Sequence, residues 1–329
     1  MSKRAVAGLA AFALFVSVCS VGNAASAAKK GANPAAADKP CDRACLTALT
    51  DSYLAAVVAH DPSKVQLAGD IRFVENVKRS KVGEGLWKTA SAVPTTFKIY
   101  VPDPVAQQVG FIGVMESEGK PVQVAVRLKV AGGKITEAEH IVAAVRETNM
   151  VRLKTPRMQL VSSVPDHYRD ARGRLLHIAA SYYDALDNNN GSLAPFADDC
   201  VRYENGMQTV RNPVPADPSQ GFGLAGALGC AKQLDTNTFE YIDRIENRRV
   251  WIADEENGVA IGFSHFRHPM TKKEFAVYGI PGQTVRKMPD QKPFDMPAAH
   301  VFKIWGGQIH EIEAVGVVMP YNSATGWEE

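Results

Sequence analysis

The chain has 329 residues, 46% of them hydrophobic and 22% charged, the balance of a soluble globular protein with room for two cores. Its formal charge of +2 includes Lys3 and Arg4; loss of an export signal carrying both leaves +2 − 2 = 0. A neutral chain with no Lys/Arg cluster interleaved with aromatics argues against nucleic acid or an anionic membrane surface as a partner.

The N-terminus reads as an export signal, assigned to residues 1–27. Lys3 and Arg4 precede the apolar run "AVAGLAAFALFVSVCSV", and the small residues of "GNAASA" offer cleavage after Ala24 or Ala27. A run of about 17 residues flanked this way is short for a membrane span. Val18 before Cys19 is larger than the small residue normally found before a lipoprotein cysteine, which disfavours that anchor. The mature protein is therefore expected in the periplasm or secreted, with no integral membrane segment. Residues 28–40, rich in Ala, Lys and Pro, read as a disordered leader.

Four cysteines then remain, an even number for an oxidising compartment. Cys200 and Cys230 lie 30 positions apart in one half, and a disulfide between them would contribute about 3–4 kcal/mol by loop entropy. Cys41 and Cys45 open a helix. On a regular helix their Cβ atoms stand about 6 Å apart, against roughly 3.8 Å in a disulfide. They pair only if Cys41 lies outside the helix; otherwise they are free thiols or bridge two molecules.

From here the chain repeats itself. "SYLAAVVAHDPSKVQLAGDIRFVEN" (Ser52 to Asn76) aligns without a gap with "SYYDALDNNNGSLAPFADDCVRYEN" (Ser181 to Asn205). "VRLKVAGGKITEAEHIV" (Val126 to Val142) aligns with "HVFKIWGGQIHEIEAVG" (His300 to Gly316). Amphipathic helices are expected over Cys45–Ala59 and Arg172–Asn188, from apolar residues at three-and-four spacing. Strands are expected in "QVGFIGVM", "PVQVAVRLKV", "FEYIDRIENRRVWIA" and "GVAIGFSHFRH". Hairpin turns are expected at Gly132-Gly133 and Gly306-Gly307. A helix followed by a curved antiparallel sheet, twice over, is an α+β plan, with repeats at 41–155 and 156–329.

Helix, "D-x-S" loop, "F-x-x-D-x-x-x-x-EN" and a final "GG-x-I-x-E-x-E" hairpin together resemble the NTF2-like superfamily, which includes SnoaL-like and ketosteroid-isomerase-like proteins. Within it the chain resembles exported tandem-repeat proteins with "GEGLW" in the first copy and "ENG…GCA-x-Q…RR-x-x-x-x-DEE-x-G" in the second. The resemblance implies two cone-shaped domains, each with helices packed on a curved sheet. It implies no single activity, because this fold hosts isomerases, dehydratases, cyclases and non-catalytic modules.

The cone of such a fold is a pocket in which ionisable groups work without a cofactor. His265, Arg267 and His268 form the densest reactive cluster, and strand alternation turns only one of the two histidines inward unless a bulge intervenes. Glu204 is either a pocket carboxylate or a structural one bonding backbone with Asn205, and Glu75-Asn76 repeats the motif in the first half. Glu311 and Glu313 sit two apart on one sheet face, as do Glu137 and Glu139. Ile309 is expected to share the face of Glu311 and Glu313, and the carboxylates of the closing hairpins to bond to Arg248 or Arg249. Tyr183 and His300 stand where the first copy has Leu54 and Val126.

His265 and His268 are therefore the candidate catalytic residues, with Tyr183, Glu204, Arg267, His300 and Glu313 to place the substrate. The insertion Thr271–Pro297 is a candidate lid, and the first copy, poor in reactive groups, a packing partner. No metal-binding spacing, phosphate loop or G-x-S-x-G elbow occurs, so no metal or cofactor is expected. The leading expectation is a cofactor-independent lyase or isomerase acting on a small apolar or aromatic hydroxylated molecule. The alternative is a non-catalytic module that binds a small molecule or a protein. A higher oligomer stays open.

Overall fold

The computed structural model describes residues 40–212 and 222–328; the expected export signal, Cys19 and the leader up to residue 39 lie outside them. The first half runs α1 (Arg43–Val58), β1 (Leu67–Glu75), β2 (Lys78–Ser80), α2 (Leu86–Thr89), β3 (Ala90–Ala92), β4 (Lys98–Asp103), β5 (Gln108–Ser117), β6 (Lys120–Ala131) and β7 (Lys134–Ala144). A connecting stretch carries α3 (Met158–Val161). The second half runs α4 (Arg172–Asp187), β8 (Phe196–Glu204), β9 (Met207–Gln208), α5 (Cys230–Leu234), β10 (Arg244–Asp254) and β11 (Val259–His268). It continues with β12 (Glu274–Ile280), β13 (Gln283–Lys287), β14 (Phe294–Trp305), β15 (Gln308–Gly316) and β16 (Met319–Pro320).

The two halves repeat each other down to the turn. Helix α1 buries Leu46, Tyr53, Leu54 and Val57, and α4 buries Leu175, Ile178, Tyr182, Tyr183 and Leu186, each at three-and-four spacing. Each helix stops at a left-handed residue, His60 (φ 53) or Asn189 (φ 47). The next residue then caps a single 3-10 turn: Asp61 Oδ1 accepts from Ser63 N and Asn190 Oδ1 from Ser192 N, both at 3.0 Å. Cys41 lies before the helix, whose N-cap is Asp42, so the Cys41–Cys45 disulfide forms with Cα atoms 5.3 Å apart.

In each half the first strand pairs in parallel with the closing strand in one register. Glu75 lies opposite His140 in the first, and Glu204 opposite Ala314 in the second. The sheets are ordered β2-β1-β7-β6-β5-β3, with β4 also on β5, and β10-β11-β14-β15-β8-β9, with β16 on β14. One face of each sheet holds its helix, so the two halves share one α+β plan. The expected strand "FEYIDRIENRRVWIA" is shorter than its apolar run, because Phe239–Ile242 turns before β10 begins at Arg244.

The other faces of the two sheets stack. Ile99, Val101, Ile112, Ala125 and Ile141 of the first pack with Ile252, Ile261, Phe263, Val301 and Val315 of the second in one buried cluster. Among the described residues this leaves one core inside each cone and one between the sheets, with a smaller fourth cluster of Ala225, Val277 and Ile280 under the β12–β13 hairpin. Ion pairs cross the seam where that middle core ends: Arg249 to Glu139, Arg172 to Asp103, and Arg43 to Asp254.

Strand β15 departs from simple alternation. Its pairing slips between Ile309 and Glu311, so Ile309 and Ile312 enter the cone while Glu311 and Glu313 face the seam. Ile309 therefore does not share the face of the glutamates. Their partner is also not Arg248 or Arg249: Arg157 of the connecting stretch binds Glu311 at 2.7 Å and Glu313 at 2.8 Å. Arg248 instead pairs with Asp184 and Asp187 of α4.

Candidate functional site

The Glu-Asn motif divides its labour. Asn76 and Asn205 share φ 47, and each extends the parallel ladder with its side chain. Asn76 Oδ1 accepts from Val142 N at 2.8 Å and its amide donates to Val142 O at 3.2 Å; Asn205 does the same with Gly316 at 2.9 and 2.8 Å. The asparagine is architecture in both copies.

The glutamates instead hold a buried side-chain partner near the base of each cone. In the first half Glu75 accepts from Leu86 N, the start of α2, and its Oε2 meets His140 Nδ1 at 3.1 Å. His140 Nε2 in turn meets the Tyr53 hydroxyl at 2.9 Å. Gly85 is glycine (φ 60) because a Cβ there would stand 2.0 Å from Glu75 Oε1, which explains part of "GEGLW". In the second half Glu204 pairs with Arg202 Nε at 2.7 Å, and Arg202 reaches the Tyr182 hydroxyl at 3.4 Å. Arg202 is fully buried, donates to Thr209 and Gln233, and lies over Phe222 and Phe239. The first copy is therefore not poor in reactive groups: it encloses a Glu75–His140–Tyr53 chain, although packing around Phe73 and Trp87 leaves His140 and Tyr53 no more than 1% exposed.

Strand β11 sorts the expected cluster. Val259, Ile261 and Phe263 enter the seam core while Ala260 and Phe266 enter the cone core, so His268 faces the cone and His265 and Arg267 face away. Arg267 binds Asp295 at 2.5 Å and Glu246 at 2.9 Å, and His265 Nε2 stands 3.5 Å from the same Asp295. With Glu313 also on the outer face, three of the seven expected site residues are separated from the other four by the sheet.

The cone-facing members form a column. His268 stacks on Phe294 with centroids 4.2 Å apart and planes at 6°, and lies 5.6 Å from Tyr241. Phe266 joins it to His300, and His300 Nδ1 meets the Tyr183 hydroxyl at 3.3 Å. Gly262 permits that approach, since a Cβ there would lie 2.7 Å from the Tyr183 oxygen. Burial pushes His268 down to about 4 and, with Arg202 nearby, His300 to about 3. Burial also pushes Tyr182 up to about 12, and Tyr183 upward. Both histidines are thus neutral near pH 7, and His268 Nδ1 is buried without a hydrogen-bond partner.

A cavity of about 730 Å³ opens at the mouth of this cone. Its lining includes Phe222, Thr238, Tyr241, Met270, Arg286, Lys287 and Phe294, with no carboxylate among the described residues. The insertion supplies much of it: β12 and β13 pair as a hairpin, and Arg286 folds back to donate to Thr238 O at 2.6 Å and Thr238 Oγ1 at 2.7 Å. The Arg286 guanidinium lies 5.0 Å from the Tyr241 ring centroid. Cys200 and Cys230, bonded with Cα atoms 5.8 Å apart, tie α5 to β8 beside Arg202. Sequence reasoning missed Arg202, Tyr241, Arg286 and Phe294. Arg202 had a signal, because it replaces the aligned Phe73; the others depend on how the insertion folds back.

Among the described residues no group of three or more His, Cys, Asp or Glu side chains could hold a metal ion, and no helix is long and apolar enough to cross a membrane. Residues 168–316 match a family model described as a domain of unknown function, DUF8021. No curated protein matches the chain by sequence. Among solved structures the chain is similar to a candidate polyketide cyclase from Xanthomonas campestris, at 15% identity over 44% of this chain and 90% of that one, with a TM-score of 0.29. A candidate SnoaL-like polyketide cyclase from Shewanella denitrificans shares 13% identity over 44% and 92%, with a TM-score of 0.27. A candidate isomerase from Bacillus subtilis shares 10% over 44% and 87%, also with a TM-score of 0.27.

Proposed function

We propose that the second half is a cofactor-independent isomerase or lyase. Its substrate is a small aromatic or apolar molecule bearing a hydroxyl or carbonyl oxygen that gains negative charge during reaction. One observation carries this reading: the cavity is lined by Arg286 and Lys287 together with the rings of Phe222, Tyr241 and Phe294, and neutral His268 is stacked against its wall at Phe294. A positioned cation favours an oxyanion more than a neutral ground state. Arg286 suits this role because Thr238 holds it in place.

His268 is the proton acceptor in this scheme. With a pKa of about 4 in the empty site it is a weak base; a substrate oxyanion brought beside it would favour the imidazolium and raise its basicity. Tyr183, His300 and Arg202 lie buried deeper in the cone, behind the cavity lining. The domain limits at 41–155 and 156–329 and export to the periplasm or medium belong to the same proposal; two disulfides fit an oxidising compartment.

A carrier that binds the same class of molecule without turnover is the second reading. It is favoured by the rings of Tyr241 and Phe294, rather than that of His268, forming the cavity surface. Native mass spectrometry of the purified protein, followed by incubation with the ligand it identifies, separates the two. A changed product mass that requires His268 supports the enzyme; stoichiometric binding with the ligand unchanged supports the carrier and ends the catalytic reading.

A further inference from the structure

A second cleft, of about 280 Å³, opens at the seam between the sheets, away from the cone mouth. The first half contributes Arg72, Arg127 and Lys129, the second Arg249 and Trp251, and the C-terminal tail Trp327. Two carboxylates answer these four cations. Glu139 takes both terminal nitrogens of Arg249, at 2.7 and 2.6 Å, and Arg127 Nε at 3.1 Å. Glu137 takes Arg127 Nη1 at 2.8 Å and Lys129 Nζ at 3.0 Å. Burial alone would push both carboxyls up, but the neighbouring guanidinium charges outweigh it and hold them below the usual range. Counted over these six groups among the described residues, the formal charge is +4 − 2 = +2.

Arg72 carries the surplus. It makes no ion pair among the described residues; its Nη2 donates to Trp327 O at 3.1 Å, and its Nε is buried with no acceptor. Arg249 Nε is buried and unpartnered in the same way. Glu328, next to Trp327, is turned to Thr325, whose N–H and hydroxyl it accepts at 2.7 Å each. Two flat indoles complete the walls, with the Arg127 guanidinium 5.9 Å from Trp251 and 4.7 Å from Trp327. Buried donors without acceptors in a native structure call for an acceptor.

We propose that this cleft binds a small oxyanion, a carboxylate or a phosphate, with its oxygens on Arg72 and the Nε side of Arg249. Guanidinium forks match the geometry of either group. The indole walls favour a carboxylate on a planar body over a bare phosphate. The bound anion joins first half, second half and tail, so it also stabilises the assembled chain by mass action.

Full-length protein titrated with benzoate, acetate and inorganic phosphate, by calorimetry and by melting temperature at fixed ionic strength, tests the proposal. Saturable binding with a rise in melting temperature is expected, with benzoate ahead of acetate; phosphate ahead of both would assign a phosphate site. Arg72→Gln should weaken the tightest anion at least tenfold, and Arg72→Lys, which keeps the charge without the fork, by less. Arg286→Met, in the cone-mouth cavity, should leave this binding unchanged. No saturable binding by any of the three anions, wild-type affinity in Arg72→Gln, or loss of binding in Arg286→Met would each overturn it.

Discussion

Arg249 of the second half places its two terminal nitrogens 2.7 and 2.6 Å from the two carboxylate oxygens of Glu139 in the first. The pair is planar-fork geometry on a buried carboxylate, and it sits at the edge of the apolar seam rather than within it. Removing one partner leaves the other buried and under-compensated, which costs more than the pair itself contributes. Arg127 remains to answer Glu139, so Arg249→Met should destabilise by about 2–3 kcal/mol rather than the full cost of a broken buried pair. Arg249→Met with Glu139→Gln should recover part of that loss in chemical denaturation. Additive losses would show that the two side chains act independently.

His265 and His268 should separate by function. His268→Ala should lower turnover of the identified substrate by about 10²–10⁴, the usual loss for a positioned acid–base group. His265→Ala should leave turnover near wild type and lower stability instead, because His265 belongs to the buried Arg267–Asp295 group on the outer face. Full activity in His268→Ala would remove it from the mechanism.

Stability should fall on acidification through the histidine range. The folded pKa of His268, about 4, lies below its ordinary 6.5, so the unfolded chain binds the proton more readily. Its contribution is complete above pH 6.5 and is lost as pH falls toward 4, by about 3 kcal/mol for this group. His300 acts in the same direction. Glu313 acts oppositely: burial raises its carboxyl, so it costs stability as pH rises from 4.5 through its folded value. His268→Gln should flatten the loss between pH 6.5 and 4 in urea midpoints measured across pH, and an unchanged slope would contradict its burial as a neutral ring.

Asn205, half-buried at the end of β8, should be hard to replace. Asn205→Ala loses two hydrogen bonds to Gly316 and leaves at φ 47 a residue that tolerates the left-handed region less well than asparagine, for about 2–3 kcal/mol. Asn205→Gly loses only the bonds and should cost less, by equilibrium denaturation. The same order is expected at Asn76, whose bonds to Val142 are equivalent.

The sequence by itself carried the duplication, the helix in each half, the closing hairpins and the repeated Glu-Asn step. These are local or periodic: three-and-four spacing, glycine turns and a strand end whose asparagine must take a left-handed conformation can be read along one line. It also narrowed His265 and His268 to one inward residue, because alternation is a property of any strand. What only the tertiary structure decided lies where distant segments meet. The slip between Ile309 and Glu311 turned both glutamates to the seam, and a bulge is set by the strand beside it rather than by the residues in it. Arg249 and Trp327 found partners in the first half, and Arg157 of the connecting stretch found Glu311 and Glu313 in β15, at separations in sequence that no spacing rule spans. The cavity walls came from the β12–β13 hairpin folding back toward Thr238, a contact specified by the packing of the finished cone and absent from the periodicity of the hairpin itself.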